Sequence, residues 1–238
     1  MNVTNSELRR RARVTLGGKI FGRQWLMGLA VSLVLSAILS VAASLPAGSI
    51  ILTGPITFGL YLTFIDAVRT KKEITFDLAF EGFKNFSATL LLGLMQGLFV
   101  ALWILLFVIP GMIIAIILLS VFQTITVTPW IALCFIPGII KYYSYSMAYY
   151  IMADHPEYTW REALRDSKAM MKGNKWKFFC LDFSFIGWYI VGFLCLGVGT
   201  LWVSPYQHTA HAEFYNELVG NVAAEETTEE APVADDHV

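Results

Sequence analysis

Charge is missing from long tracts of this sequence. No Asp, Glu, Lys or Arg occurs from Trp25 to Ile65, nor from Ala88 to Ile140. Over 238 residues, charged side chains make up 15% and hydrophobic ones 56%, whereas about a quarter of a soluble domain is charged. Each uncharged tract exceeds the roughly 20 residues a helix needs to cross the hydrocarbon core. A water-soluble globular fold is excluded. The expectation is an all-α, polytopic helical membrane protein with about five to six spans plus interfacial amphipathic helices. Cysteine is scarce as well. Cys134, Cys180 and Cys195 lie in apolar surroundings without metal-like spacing, so they read as small hydrophobes. Phosphate loops, nucleophile elbows, zinc signatures and paired carboxylates facing one pocket are all lacking. Accordingly no catalytic residue, cofactor, metal site or nucleic-acid partner is expected. His208 and His211, with Glu213 nearby, resemble half a metal site, but two further ligands at fixed spacing are missing.

The charges that do occur are segregated. Sixteen of the seventeen Lys and Arg fall in three clusters, Arg9 to Arg23, Arg69 to Lys84 and Arg161 to Lys177. Cytoplasmic loops are enriched in such residues, which assigns all three clusters, and with them the N-terminus, to the cytoplasmic side. Lys141 stands alone.

This charge pattern divides the chain into one helical membrane domain, residues 1–219, and an acidic tail, 220–238, expected to be disordered. An amphipathic helix over 5–22 carries Leu8, Ala12, Leu16 and Ile20 about one turn apart among basic residues. Spans are expected near 25–45, 50–68 and 88–109. The first is long for a signal core and reads as an uncleaved span. Asp66 and Arg69 sit one helical turn apart at the end of the second. "TFDLAFEGFKNF" puts Phe76, Phe80 and Phe83 on one face, as in a helix lying in the membrane surface. Pro110 is expected to end the third span on the far side.

The next basic cluster belongs inside, so residues 112–153 are assigned one net crossing. Three crossings would leave about 14 residues each, too few at ~1.5 Å per residue. Thr124, Thr126, Thr128 and Pro129 offer a place for a break. Thr159 with Glu162 forms a capping box for a basic helix whose apolar stripe is Trp160, Ala163, Leu164, Ser167 and Met171. The last apolar run, 178–203, is either one span or is split at Gly197 and Gly199, with a further helix over 204–218. A single span, slightly favoured by the lack of Lys and Arg beyond it, leaves the C-terminus outside.

Two sets of candidate residues follow. Gly28, Ser32, Ser36, Ser40 and Ser44 recur every fourth residue, and Gly93-x-x-x-Gly97 matches them beside Gln96. Small residues at this spacing let helix backbones approach closely. The second set is polar. Asp182 is ionisable inside a span, and Lys141 adjoins Tyr142, Tyr143, Tyr145, Tyr149 and Tyr150. Such tyrosines form an interfacial belt or wall a polar site where Lys141 meets an anionic headgroup. The partners implied are the lipid bilayer, anionic lipid headgroups and a second copy or an envelope protein.

The phrases "IPGIIKYYSYSMAYYIMADHP", "SKAMMKGNKWKFF", "SFIGW", "LGVGTLW" and "PYQHTAHAEFYNEL" in this order resemble the bacterial integral membrane family catalogued as domain of unknown function 975. The resemblance implies a multi-pass plasma-membrane protein of about six helices, with no biochemical activity or catalytic residue to carry over. The family generally has one Pro-Gly turn leading into the Tyr/Ser-rich helix, so Gly111 to Pro137 looks like an insertion carrying a copied turn. The function expected from all this is a non-enzymatic membrane protein that organises lipids or assembles with envelope proteins. The alternative is a small permease or lipid-handling channel with a polar cavity near Lys141.

Overall fold

A computed structural model describes residues 3–19, 21–45, 47–122, 133–195 and 197–229. Helices α1 (Asn5–Thr15), α2 (Arg23–Ala43) and α3 (Gly48–Thr70) are followed by a 3₁₀ helix (Leu78–Phe83) and the long α4 (Phe86–Phe122). Then come α5 (Ile136–Tyr145), α6 (Ala148–Asp154), α7 (Trp160–Met170), α8 (Lys175–Leu194) and α9 (Val198–Glu229). There is no strand among the described residues. The fold is all-α, and among the described residues four helices are long and apolar enough to cross a membrane: α2, α3, the Phe86–Ile114 part of α4, and α8.

Large apolar side chains are exposed chiefly along α2, α4, α5 and α8, while the buried core lies among α3, α6, α7 and α9. The first set forms an apolar belt suited to lipid, where exposed Leu and Ile cost nothing. The core gathers at the end of the molecule that carries the basic clusters.

The amphipathic stripes of α1 and α7 face this core. Leu8, Ala12 and Leu16 are fully buried. Their helix lies against α9 through Thr15 to Glu213 and Arg11 to Glu217. Burial of each leucine is worth about 2 kcal/mol as an upper figure. Asn5 Nδ2 also donates to the Lys177 carbonyl on α8. The apolar stripe of α1 is thus spent on the protein, while Arg10 and Arg13 are exposed and Arg11 turns to Glu217; Ile20 lies outside the described residues. In α7, Ala163, Leu164, Ser167 and Met171 are buried, and both halves of the Thr159–Glu162 capping box form.

Three boundaries differ from expectation. Pro110 does not stop a helix; α4 runs through it to Phe122. Proline removes one backbone donor, a loss that spanning helices tolerate when local adjustments satisfy the freed carbonyl. The second Pro-Gly pair does open a helix, with Pro137 in the first turn of α5. The first pair also lies against the residues that lead into the second, since a Cβ on Gly111 would strike the Cys134 side chain. Thr124, Thr126, Thr128 and Pro129 lie outside the described residues.

The run 178–203 is divided. Helix α8 ends at Leu194 and α9 starts at Val198, with Gly197 at φ +78° between them. The two pack antiparallel: Phe178 touches Phe214, Phe185 touches Tyr206, and Gly192 lies directly against Gly199. The hairpin returns the chain to α1, so of the two expected alternatives the run is split and is not one long helix. Sequence hydropathy runs smoothly across the turn and left both alternatives open; the positive φ at Gly197 and the glycine contact decide between them. Helix α9 continues to Glu229, well past the expected limit at 219, because Ala and Glu favour helix.

The "TFDLAFEGFKNF" segment is a 3₁₀ helix whose small side, not its phenylalanines, meets the protein. Ala79 and Gly82 are buried against Gly59 and Pro55 of α3, while Phe80 and Phe83 face outward. Arg69 also has a partner other than the one expected. It pairs with Asp154, not with Asp66.

Candidate functional site

The tyrosine-rich stretch forms α5 and α6, kinked at Ser146–Met147. The kink leaves Met147 N–H without a helical acceptor. Ser167 of α7 supplies one: its Oγ accepts from Met147 N at 3.2 Å and donates to the Ser144 carbonyl at 3.1 Å. Both contacts are buried, which fixes the tyrosines and Lys141 relative to the basic helix α7.

Lys141 extends over Trp103 of α4, with Nζ 4.1 Å from the ring centre, a cation–π contact. Lys168 and Lys175 are near enough to repel it. Tyr142 is exposed and Tyr145 is half-buried against Phe99. Of these tyrosines, Tyr143 is the one that reaches Asp182, donating from its hydroxyl at 3.0 Å.

Asp182 is the centre of a polar knot. Besides Tyr143, it accepts from Gln207 Nε2 at 2.9 Å and lies 2.6 Å from His211 Nε2. Tyr189 in turn donates to Gln207 Oε1 at 2.5 Å. A carboxylate so fully satisfied ties α5, α8 and α9 together. Sequence reading singled out Asp182 but missed Gln207 and Tyr189, because the faces on which two helices of a hairpin meet are not set by local sequence. The two histidines diverge. His211 faces Asp182, His208 stacks on Phe64, and Glu213 turns to Thr15. No group of three metal-ligating side chains occurs among the described residues.

The stripe of small residues is only partly a packing surface. Gly28 and Ser32 are buried, Gly28 meeting Pro205, Ile74 and Phe64. Ser36 and Ser40 are exposed, and Ser40 returns its hydroxyl to the Ser36 carbonyl. The four-residue step drifts about 40° each time, which carries the later members off the contact. Gly93 packs against Gly54 of α3, but a Cβ on Gly97 would meet nothing within 4 Å.

Gly97 instead borders a groove of about 520 Å³ between α3, α4 and the α5–α6 segment. Thr53, Thr57 and Tyr61 supply one wall at four-residue spacing, Gln96 and Gly97 the second, and Tyr142 with Tyr149 the third. Ser32, Ser36 and Lys141 do not line it. This groove shares Tyr142 and Tyr149 with the candidate residues, but it is not the expected cavity lined by Ser32, Ser36 and Lys141. The Thr-Thr-Tyr spacing was visible in the sequence and points to one helix face; what faced it was not.

Residues 1–222 match the family described as Protein of unknown function (DUF975). The chain belongs to that family. The DUF975 match spans both the Asp182 knot and the groove, and it runs through α9 to within a few residues of the end of that helix. No curated protein and no solved structure matches the sequence.

Proposed function

We propose that this DUF975 member is a non-enzymatic protein of the plasma membrane that organises anionic lipid around its apolar belt. The observation that carries this reading is the placing of Lys141 over Trp103, beside Lys168 and Lys175, where the exposed apolar surface of α4 and α5 meets the basic helix α7. A phosphate at that border pairs with Lys141, whose charge Lys168 and Lys175 otherwise oppose, while its acyl chains lie against Ile139 and Ile140, both exposed. Each basic group near an anionic surface is worth about 1 kcal/mol. In this arrangement the basic clusters and N-terminus face the cytoplasm, in keeping with the Lys and Arg bias. The partners are the bilayer and its anionic headgroups, and no chemistry is required of the protein.

Spin-labelled lipids test the reading. The full chain reconstituted in bilayers should immobilise phosphatidylglycerol more than phosphatidylcholine, and Lys141→Ala should remove most of that preference. Equal immobilisation of the two lipids by the unaltered protein would refute the proposal. The groove supports a second reading, lipid handling or permeation. Liposome flux that depends on the protein but not on Lys141 would favour it.

A further inference from the structure

The groove between α3, α4 and the α5–α6 segment differs from the Lys141 site in its chemistry. No Lys, Arg, Asp or Glu lines it. Its polar groups are neutral: the hydroxyls of Thr53, Thr57, Tyr61, Tyr142 and Tyr149, and the amide of Gln96. Thr53 already spends its proton on the Ser49 carbonyl. The Gln96 carbonyl oxygen, by contrast, is enclosed and has no hydrogen-bond partner. An enclosed acceptor without a donor costs about 1–3 kcal/mol, so such groups mark places where something else completes the bond.

The two glycines of α4 shape the space. A Cβ on Gly93 would come within 2.9 Å of the Tyr149 hydroxyl, so glycine there lets that tyrosine reach the α4 wall. Gly97 faces open space, and the groove is the volume it leaves empty. The surroundings decide the route of entry. Gln96 and Gly97 belong to the Phe86–Ile114 candidate span, and Leu98, Leu102 and Leu105 of the same helix are exposed, as are Ile50 and Ile51 of α3. What reaches the groove arrives from the hydrocarbon side.

We infer that the groove binds an uncharged lipid bearing a free hydroxyl, of the diacylglycerol class. The hydroxyl accepts from the wall hydroxyls and donates to the Gln96 carbonyl oxygen once that amide, enclosed and unpartnered in the groove, turns toward it, while the acyl chains run along the exposed leucines of α4. A phosphate is excluded by chemistry: it would lie in a low-dielectric groove with no cation to pair with, a cost of several kcal/mol. The volume suits the glycerol head and first methylenes of one such molecule, within the usual 300–1,000 Å³ of small-molecule sites. This inference does not depend on the Lys141 reading, since Lys141 does not line the groove.

Photo-crosslinking tests it. The full chain in nanodiscs is irradiated with a diazirine-bearing diacylglycerol, and, separately, with phosphatidylglycerol carrying the same labelled chain; the adducts are mapped by mass spectrometry. Diacylglycerol adducts should concentrate on the peptides holding Thr57, Gln96 and Gly97, and unlabelled diacylglycerol should compete them away. Gln96→Leu should lower them about fivefold, the effect of one lost hydrogen bond. Gly97→Leu, which fills open space, should abolish them without lowering the melting temperature. Adducts spread evenly over the apolar belt, equal labelling of the groove by phosphatidylglycerol, or labelling unchanged in both variants would overturn the proposal. If either variant fails to fold, competition on the unaltered protein decides: adducts that excess diacylglycerol does not displace reject the site.

Discussion

Arg69 grips both carboxylate oxygens of Asp154, 85 residues further along the chain, and Tyr215 donates to the same carboxylate at 2.7 Å. Arg69 Nε reaches Asn216 as well, at 2.8 Å. One guanidinium therefore joins the end of α3, the end of α6 and the middle of α9 where they meet at the basic end. Arginine suits this place because its planar fork matches a carboxylate and still has a donor to spare.

Arg69→Lys should consequently destabilise the protein although it keeps the charge. A lysine cannot hold Asp154 bidentately and reach Asn216 together, and the loss should be about 1–2 kcal/mol. Thermal unfolding in detergent checks this; an unchanged melting temperature would contradict the joint just described.

Acid should weaken the same joint. Burial alone would raise the Asp154 carboxyl, but Arg69 and Tyr215 together outweigh it and hold the group below the usual carboxylate range. A folded-state value lowered in this way gives stability that is complete above the unfolded-state value of about 3.9 and fades as pH falls through the folded one. Glu7 follows the same sign. The Arg10 guanidinium holds its carboxylate down to about 2, though its exposure makes the contribution small. Melting temperature should therefore decline below pH ~4 in the unaltered chain, and less steeply in Asp154→Asn.

Ser167→Ala should loosen the kink in the tyrosine-rich stretch. The change leaves Met147 N–H buried without an acceptor, costing about 1–3 kcal/mol. Hydrogen exchange at Met147 should accelerate. Protection equal to that of the unaltered protein would show that the serine is dispensable.

Two glycines of adjacent spans should respond oppositely to alanine. A Cβ at Gly59 would collide with the Ala79 carbonyl, a backbone atom that cannot swing aside, whereas Gly97 has open space. Gly59→Ala should prevent the 3₁₀ helix from docking and lower folded yield sharply. Gly97→Ala should be neutral or slightly stabilising, since alanine favours helix by up to about 1 kcal/mol. Size-exclusion profiles of the two variants distinguish the outcomes.

Particular residues show where sequence reading sufficed. The uncharged tracts from Trp25 to Ile65 and from Ala88 to Ile140 were enough to identify a helical membrane protein, since hydrocarbon leaves a backbone no partner but itself. The capping box at Thr159 and Glu162 was legible because both of its bonds are local. The turn at Gly197 was legible only as one of two choices, and the arrest expected at Pro110 did not occur. A proline's cost depends on whether neighbours satisfy the freed carbonyl, and those neighbours are distant in sequence.

Sequence by itself determined which segments are apolar, which ends are basic and which helices are amphipathic, because each follows from side-chain chemistry and the 3.6-residue period. Tertiary structure alone decided that the stripes of α1 and α7 are spent on the core, that Arg69 chooses Asp154 over Asp66, and that Asp182 meets His211 and Gln207. It also decided that Gly97 borders a groove and not a helix contact. These are matters of which faces meet, and hydrophobic burial, being non-directional, does not name the partner. Shape and the saturation of buried polar groups do.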